Sequence, residues 1–107
     1  MKDNHMVRIN MLRKKLIELC IDSAVILNPV NIGYVSGFTG TTGAVIITQD
    51  KAIFITDFRY EEQAKEQCKG FNIDIVKKNE GTIYKLLTEK IMEMKIENVA
   101  IKVDSIN

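Results

Sequence analysis

The chain has 107 residues and a net charge of +1, from 15 Lys and Arg against 14 Asp and Glu. A chain of this length forms one domain with its own hydrophobic core, so we expect a single domain over residues 1–107. The balanced charge offers no basic surface to nucleic acid, and no apolar run exceeds four residues, far too few to span a membrane. We therefore expect no nucleic-acid partner and no membrane association.

The cysteine and histidine content limits the chemistry of the chain. Cys20 and Cys68 form neither a Cys-x-x-Cys pair nor a disulfide framework, so we expect buried free thiols and a cytoplasmic protein. The single histidine, His5, falls in an N-terminal segment that we expect to fray. A histidine-based nucleophilic site or zinc site would have to use it. We therefore expect no catalytic residue and no metal site in this chain.

The chain opens with a predicted amphipathic helix over residues 6–20. Asp22 and Ser23 interrupt it, and the apolar run Ala24–Leu27 then predicts a strand buried on both faces. The apolar positions of the helix recur at helical spacing, and they are Ile9, Leu12, Leu16, Leu19 and Cys20.

A glycine-rich stretch and a hairpin follow. Asn31 is expected to cap a short helical turn, and the three glycines at 37, 40 and 43 are expected to form a loop. The apolar runs Ala44–Thr48 and Ala52–Thr56 are joined by three polar residues, which predicts a β-hairpin.

The second half alternates helices with strands. Asp57 is placed to cap a helix over residues 59–69, and the alternation from Phe71 to Ile75 predicts a half-buried strand near a sheet edge. A third helix is predicted over residues 82–95 and a last strand over Val99–Val103. This order indicates an α/β fold of three layers, with a central mixed sheet and helices on both faces.

Two patterns that suggest ligand sites have simpler explanations. The glycines are spaced Gly-x-x-Gly-x-x-Gly and lead into a strand, whereas phosphate loops and dinucleotide fingerprints lead into a helix. Asp57, Asp74 and Asp104 lie at or near strands, where acidic clusters can hold magnesium. Asp57 suits a helix cap and Asp74 a polar strand face, so we expect neither a nucleotide site nor a carboxylate metal site.

Arg59 and two aromatic residues are the main candidates for function. Arg59 lies in the first turn of a predicted helix, where the helix dipole disfavours a cation. It either pairs with a nearby carboxylate such as Glu62 or Glu66, or binds the carboxylate of a substrate. Tyr34 and Phe38 fall in the glycine-rich stretch, and exposed aromatic residues are enriched in interfaces.

Three segments occur in a specific order and spacing: Asn31–Gly40 (NIGYVSGFTG), Gly43–Thr48 (GAVIIT) and Thr56–Ala64 (TDFRYEEQA). Together they resemble the N-terminal domain of the creatinase, prolidase and Xaa-Pro aminopeptidase family. The resemblance covers nearly the whole chain and implies the creatinase N-terminal fold, with its ribonuclease H-like motif. It also implies that the chain is an N-terminal fragment, since the family's C-terminal pita-bread catalytic domain is absent from this sequence.

The resemblance implies a non-catalytic domain of a metal-dependent Xaa-Pro dipeptidase or aminopeptidase P. In that family the catalytic domain holds two divalent metals, usually manganese, through two aspartates, a histidine and two glutamates. The N-terminal domain acts in oligomerisation and substrate gating. The implied partners are the chain's own catalytic domain, further copies in a homodimer or larger homo-oligomer, and proline-containing peptides.

The same resemblance implies a set of substrate-gating and interface residues. Asn31 falls where family members carry an acidic or amide residue that can meet the amine of a substrate across the subunit interface. A non-catalytic binding module of the same fold and the N-terminal domain of a creatinase-type amidinohydrolase remain alternatives, which the catalytic residues of the parent protein would distinguish. The implied gating and interface residues are Asn31, Tyr34, Phe38, Arg59 and Tyr60.

Overall fold

The computed structural model describes residues 3–78, 80–97 and 99–101. Helices and strands alternate along this part of the chain, apart from two strands that follow one another as the predicted hairpin. In chain order the elements are α1 (Asp3–Glu18), β1 (Ser23–Ile26), α2 (Pro29–Ser36), β2 (Ala44–Thr48), β3 (Ala52–Asp57), a 3₁₀ turn (Phe58–Tyr60), α3 (Glu61–Gln67), β4 (Asn72–Val76), α4 (Ile83–Glu93) and β5 (Val99–Ile101).

The strands form one mixed sheet in the order β4-β3-β2-β1-β5. β2 is antiparallel to β1 and β3, whereas β4 runs parallel to β3 and β5 runs parallel to β1. The predicted hairpin is confirmed, with Ile46 opposite Ile53, and so is the place of β4 at a sheet edge. Because β2 alone is reversed, the other four strands point their carboxyl ends toward the same edge of the sheet.

Helices cover both faces of the sheet, which confirms the three-layer α/β prediction. Buried side chains of one face, including Val45, Ile47 and Phe54, pack with α1, α2 and α3. On the other face Ile46 and Ile55 pack with α4. The central strands are therefore buried on both sides, as their continuous apolar runs predict.

The end of α1 differs from the prediction. The helix stops at Glu18, and Leu19 is 54% exposed and Cys20 is exposed. Cys20 has φ +58°, and the amide of Ile21 donates to the carbonyl of Leu16 at 2.9 Å. This left-handed helix end turns residues 19 and 20 away from the core face, so the predicted burial of Leu19 and Cys20 is wrong. Cys68 is buried, as predicted.

The N-terminal prediction for His5 is also wrong. His5 lies inside α1 and is half-buried. Its ring contacts Gly37, where an added Cβ would stand 2.9 Å from Cε1 of His5. Packing against the end of α2 therefore holds a residue that the sequence suggests would fray.

The cap of α2 is Asn28 rather than Asn31. The side chain of Asn28 accepts from the amides of Val30 at 2.8 Å and Asn31 at 3.3 Å. Pro29 occupies the first helical turn, where its fixed φ is compatible with the helix and its missing N–H is not needed. Asn31 instead lies within the helix, 5% exposed.

The remaining elements agree closely with their predictions. Asp57 caps the turn that leads into α3, and Thr82 caps α4 by accepting from the amide of Lys85 at 3.1 Å. Of the predicted last strand, Val99–Ile101 is present as β5, and its final residues, like Asp104, lie outside the described part. No helix in the described ranges is long and apolar enough to cross a membrane.

Candidate functional site

Three of the five candidate residues, Phe38, Arg59 and Tyr60, lie at the edge of the sheet where β1, β3 and β4 end. The loop from Gly37 to Gly43, called here the glycine loop, enters β2 at this edge, and Asp57 to Tyr60 leave β3 beside it. The hydroxyl of Thr56 donates to the carbonyl of Thr42 at 2.6 Å and joins the two segments. In open α/β sheets the carboxyl edge is the usual place for ligands.

Arg59 is held by Asp57. Nε donates to Oδ1 at 3.0 Å and Nη2 donates to Oδ2 at 2.7 Å, while the Arg59 amide donates to Oδ1 at 2.9 Å. These hydrogen bonds lower the pKa of Asp57 below its usual range and raise the pKa of Arg59. The prediction of a carboxylate partner is confirmed, but the suggested partners, Glu62 and Glu66, are wrong: the two-point pair forms with the cap residue that precedes Arg59.

The pairing leaves Arg59 positioned and accessible. Its side chain is 61% exposed, and the guanidinium carbon lies 5.4 Å from the ring centroid of Tyr60. Nε and Nη2 each use one N–H group in bonding Asp57, so the two hydrogens of Nη1 and the second hydrogen of Nη2 could be donated to a carboxylate outside this pair.

Phe38 is a core residue, so its expected exposure in a loop is wrong. It is 3% exposed and packs on Phe54 at 4.6 Å and on Tyr60 at 5.7 Å between ring centroids. Gly37, with φ +82°, turns the chain so that the next side chain enters the core. Gly40 lies over the same ring, since an added Cβ there would stand 2.5 Å from Phe38 Cζ.

Tyr60 joins this aromatic cluster to the loop. Its ring is half-buried against Phe38, and its hydroxyl lies 3.4 Å from the hydroxyl of Thr41. Three of the five predicted site residues, Phe38, Arg59 and Tyr60, are therefore neighbours.

Tyr34 and Asn31 both lie within α2, so Tyr34 is not in the loop, contrary to the prediction, and Asn31 is inside the helix instead of at its cap. Tyr34 is 39% exposed, and Arg8 of α1 holds it: Nη1 donates to the Tyr34 carbonyl at 2.7 Å, and the guanidinium lies 4.0 Å above the ring. Asn31 is buried, so its side-chain amide is not accessible to a substrate in this chain.

This edge also holds residues that are not among the predicted site residues. Phe58 is 45% exposed next to Arg59, so the exposed phenylalanine of the region is Phe58 and the buried one is Phe38. Thr39 of the loop bonds Gln63 and Gln67 of α3. Gln63 and Phe58 fall within the TDFRYEEQA segment, so the family resemblance already indicates this region of the chain.

Metal binding has no support in this part of the chain. Within residues 3–78, 80–97 and 99–101, no group of three or more His, Cys, Asp or Glu side chains could hold a metal ion. Asp57 pairs with Arg59, and Asp74 pairs with Lys90 at 3.1 Å, which raises the pKa of Lys90.

The Creatinase/Prolidase N-terminal domain model matches residues 8–107. The chain belongs to this family. The creatinase/prolidase N-terminal domain described here is 36% identical to an Xaa-Pro dipeptidase from Bacillus anthracis, with a TM-score of 0.82 over 95% of this chain and 28% of that one. It also shares the fold of the N-terminal domain of the cytoplasmic peptidase PepQ from Mycobacterium tuberculosis, at 23% identity and a TM-score of 0.80 over 94% of this chain and 76% of that one.

One curated relative is an uncharacterized peptidase, YqhT of Bacillus subtilis. The two are 49% identical over 67 residues, which are 63% of this chain and 19% of the relative. A shorter match, 51% identical over 37 residues, joins 35% of this chain to 6% of a probable Xaa-Pro aminopeptidase P from Chaetomium globosum. The creatinase/prolidase N-terminal domain thus spans about a fifth of the first of these proteins.

Proposed function

We propose that this chain is the N-terminal, non-catalytic domain of a metal-dependent Xaa-Pro peptidase, either a dipeptidase or an aminopeptidase P. The observation that carries the proposal is the 36% identity to an Xaa-Pro dipeptidase across 95% of this chain. Hydrolysis would take place in a separate catalytic domain, where two divalent metal ions would activate a water molecule. The family resemblance implies that these ions are manganese.

The carboxyl edge of the sheet is the proposed gating surface. Arg59 offers a fixed cation, and Phe58 and Tyr60 offer aromatic surface beside it. A guanidinium with a free edge suits the terminal carboxylate of a short peptide. Phe38 and Asn31, being buried, contribute by shaping the loop and α2 rather than by touching a peptide.

The proposed partners are a second copy of the protein and the protein's own catalytic domain. Tyr34 is an exposed aromatic residue that Arg8 already holds in place, so little side-chain entropy is lost when it enters an interface. We also propose a cytoplasmic location, supported by two unpaired cysteines, because free thiols persist in reducing compartments.

The test changes single residues in the full-length peptidase that carries this chain. Arg59→Ala, Tyr34→Ala and Asn31→Ala are assayed on an Xaa-Pro dipeptide and on a longer Xaa-Pro peptide, with melting temperatures measured in parallel. A gating role for Arg59 predicts a loss of kcat/KM that differs between the two peptides, with little change in melting temperature. For the buried Asn31, we expect a fall in melting temperature.

Two results would contradict the proposal. Equal losses on both peptides with a large fall in melting temperature for Arg59→Ala would mean that Arg59 only supports the fold. A folded full-length protein that cleaves no Xaa-Pro peptide in manganese would favour the alternative of a non-catalytic binding module.

A further inference from the structure

The glycine loop is fastened to α3 by a cluster of side-chain hydrogen bonds. The Thr39 amide donates to Oε1 of Gln67 at 3.0 Å, and Nε2 of Gln67 donates to the Thr39 hydroxyl at 3.1 Å. Nε2 of Gln63 donates to the same hydroxyl at 2.9 Å and to Oε1 of Gln67 at 3.2 Å. Thr39 therefore has both a backbone and a side-chain group bound by the same helix.

The two glutamines are spaced so that they can act together. Gln63 and Gln67 are four residues apart on α3, which places them on one helix face one turn apart. Their mutual hydrogen bond orients the Gln67 amide, so that its oxygen faces the Thr39 amide. The arrangement is a clamp of three residues, Thr39, Gln63 and Gln67, with interlocking bonds.

The clamp holds the middle of the loop, between two hydrogen bonds that fix its ends. The loop's beginning is fixed by the Phe38 amide, which donates to the Ser36 hydroxyl at 3.1 Å, and its end by the bond from Thr56 to the Thr42 carbonyl. Between these points Gly40, a residue type with wide backbone freedom, lies over the Phe38 ring, and the Thr41 hydroxyl lies 3.4 Å from the Tyr60 hydroxyl. The position of the middle of the loop therefore depends on the aromatic cluster and on α3, which begins just after Tyr60 and supplies the bonds to Thr39.

We propose that Gln63 and Gln67 are positioning residues that hold the glycine loop beside Arg59, and that the clamp thereby sets the length of peptide admitted at the gating surface. The proposal rests on the function proposed above. Neither glutamine needs to touch the peptide: both act through Thr39 and the segment that follows it. Loss of the clamp would free the middle of the loop and leave Arg59 paired with Asp57.

The first arm of the test measures the clamp in the chain itself. Amide exchange of Thr39 is followed by NMR in the unchanged chain, in Gln67→Ala and in Gln67→Glu. In Gln67→Ala the Thr39 amide loses the hydrogen bond that it donates to Gln67, which predicts about two- to tenfold faster exchange. Gln67→Glu keeps an acceptor for the Thr39 amide and should restore the slow rate. Gln49→Ala is the matched control, because the Gln49 side chain also bonds the backbone of a distant segment: its Nε2 donates to the Arg13 carbonyl at 2.9 Å.

The second arm measures gating in the full-length peptidase with the same variants. We expect Gln67→Ala, which removes the hydrogen bonds of Gln67 to Thr39 and Gln63, to change the ratio of kcat/KM between a dipeptide and a longer peptide. The change should be at least about two- to tenfold, which is the kinetic equivalent of a single hydrogen bond. Gln67→Glu should restore the ratio, and Gln49→Ala should leave it unchanged. A purely structural glutamine would lower both activities equally.

Three results would overturn the inference, and they are distinguishable. Unchanged Thr39 exchange in Gln67→Ala would show that the clamp does not hold the loop. Faster exchange with an unchanged peptide ratio would show that the loop does not select peptides. A full-length protein without any Xaa-Pro activity would overturn the proposed function, and peptide selection with it, whereas the exchange rates would still decide whether the clamp exists.

Discussion

Replacing Phe38 distinguishes a core residue from a residue of an exposed interface. The ring is 3% exposed and contacts two other rings, with centroid distances of 4.6 Å to Phe54 and 5.7 Å to Tyr60. Truncating a buried phenylalanine to alanine costs about 3–5 kcal/mol in free energy of unfolding. For a domain of this size we therefore expect Phe38→Ala to lower the melting temperature by about 12 °C or more.

Two further variants test whether the loss of stability comes from the burial of Phe38. Phe38→Leu keeps most of the volume but loses the aromatic contacts, so we expect a loss of about 1–2 kcal/mol even if the alanine variant does not fold. Phe58→Ala is the matched control, because Phe58 is 45% exposed and should lose less than about 1 kcal/mol. Urea denaturation followed by circular dichroism measures all three. Equal, small losses at both positions would refute the burial of Phe38.

Three other predictions follow from single residues. Lys95 has φ +55° at the end of α4, so Lys95→Gly should raise the free energy of unfolding by about 0.5–1 kcal/mol in thermal denaturation, and a decrease would contradict the left-handed cap. Burial raises the pKa of Cys68 to about 11, whereas Cys20 is exposed, so iodoacetamide at pH 8 should label Cys20 in the folded chain and both thiols in denaturant, as mass spectrometry would show. The pair with Arg59 lowers the pKa of Asp57 from its ordinary value of 3.8, so the pair stabilises the fold at pH values above that. The difference in free energy of unfolding between the unchanged chain and Arg59→Met should therefore stay constant above about pH 5 and shrink as the pH falls further. A difference that grows in acid would contradict the pair.

The central sheet is predictable because its signals are local. Apolar runs of four residues have the length of strands, and the three polar residues between β2 and β3 permit only a short turn. The alternation of apolar and polar residues in β4 indicates a strand with one buried face, which fits its position at the edge of the sheet. Each of these patterns involves residues that are close together in the chain, so the strands and the hairpin can be predicted from a single sequence.

The helix ends are not predictable in the same way. Both α1 and α4 end at non-glycine residues in the left-handed conformation, Cys20 and Lys95. The usual signal for such an end is a glycine, and without it the periodic pattern extends too far. The extended pattern predicts Leu19 and Cys20 on the core face, whereas both are exposed.

The candidate site is predictable as a region but not residue by residue. The resemblance led to the loop and to the segment around Arg59, which the structure brings together at one sheet edge. Whether Phe38 or Phe58 is buried depends on the turn at Gly37 and on the space above Phe54, and neither is a local property of the sequence. The partner of Arg59 was nearer than expected, since Asp57 both caps the turn and pairs with the guanidinium.

Proline release from an Xaa-Pro dipeptide, measured for this chain alone and for the full-length protein in the same manganese buffer, tests the central claim most directly. If the chain is a non-catalytic domain of an Xaa-Pro peptidase, the full-length protein releases proline and the isolated chain releases none above a blank. Release by the isolated chain, or its absence from a folded, metal-loaded full-length protein, would contradict the account.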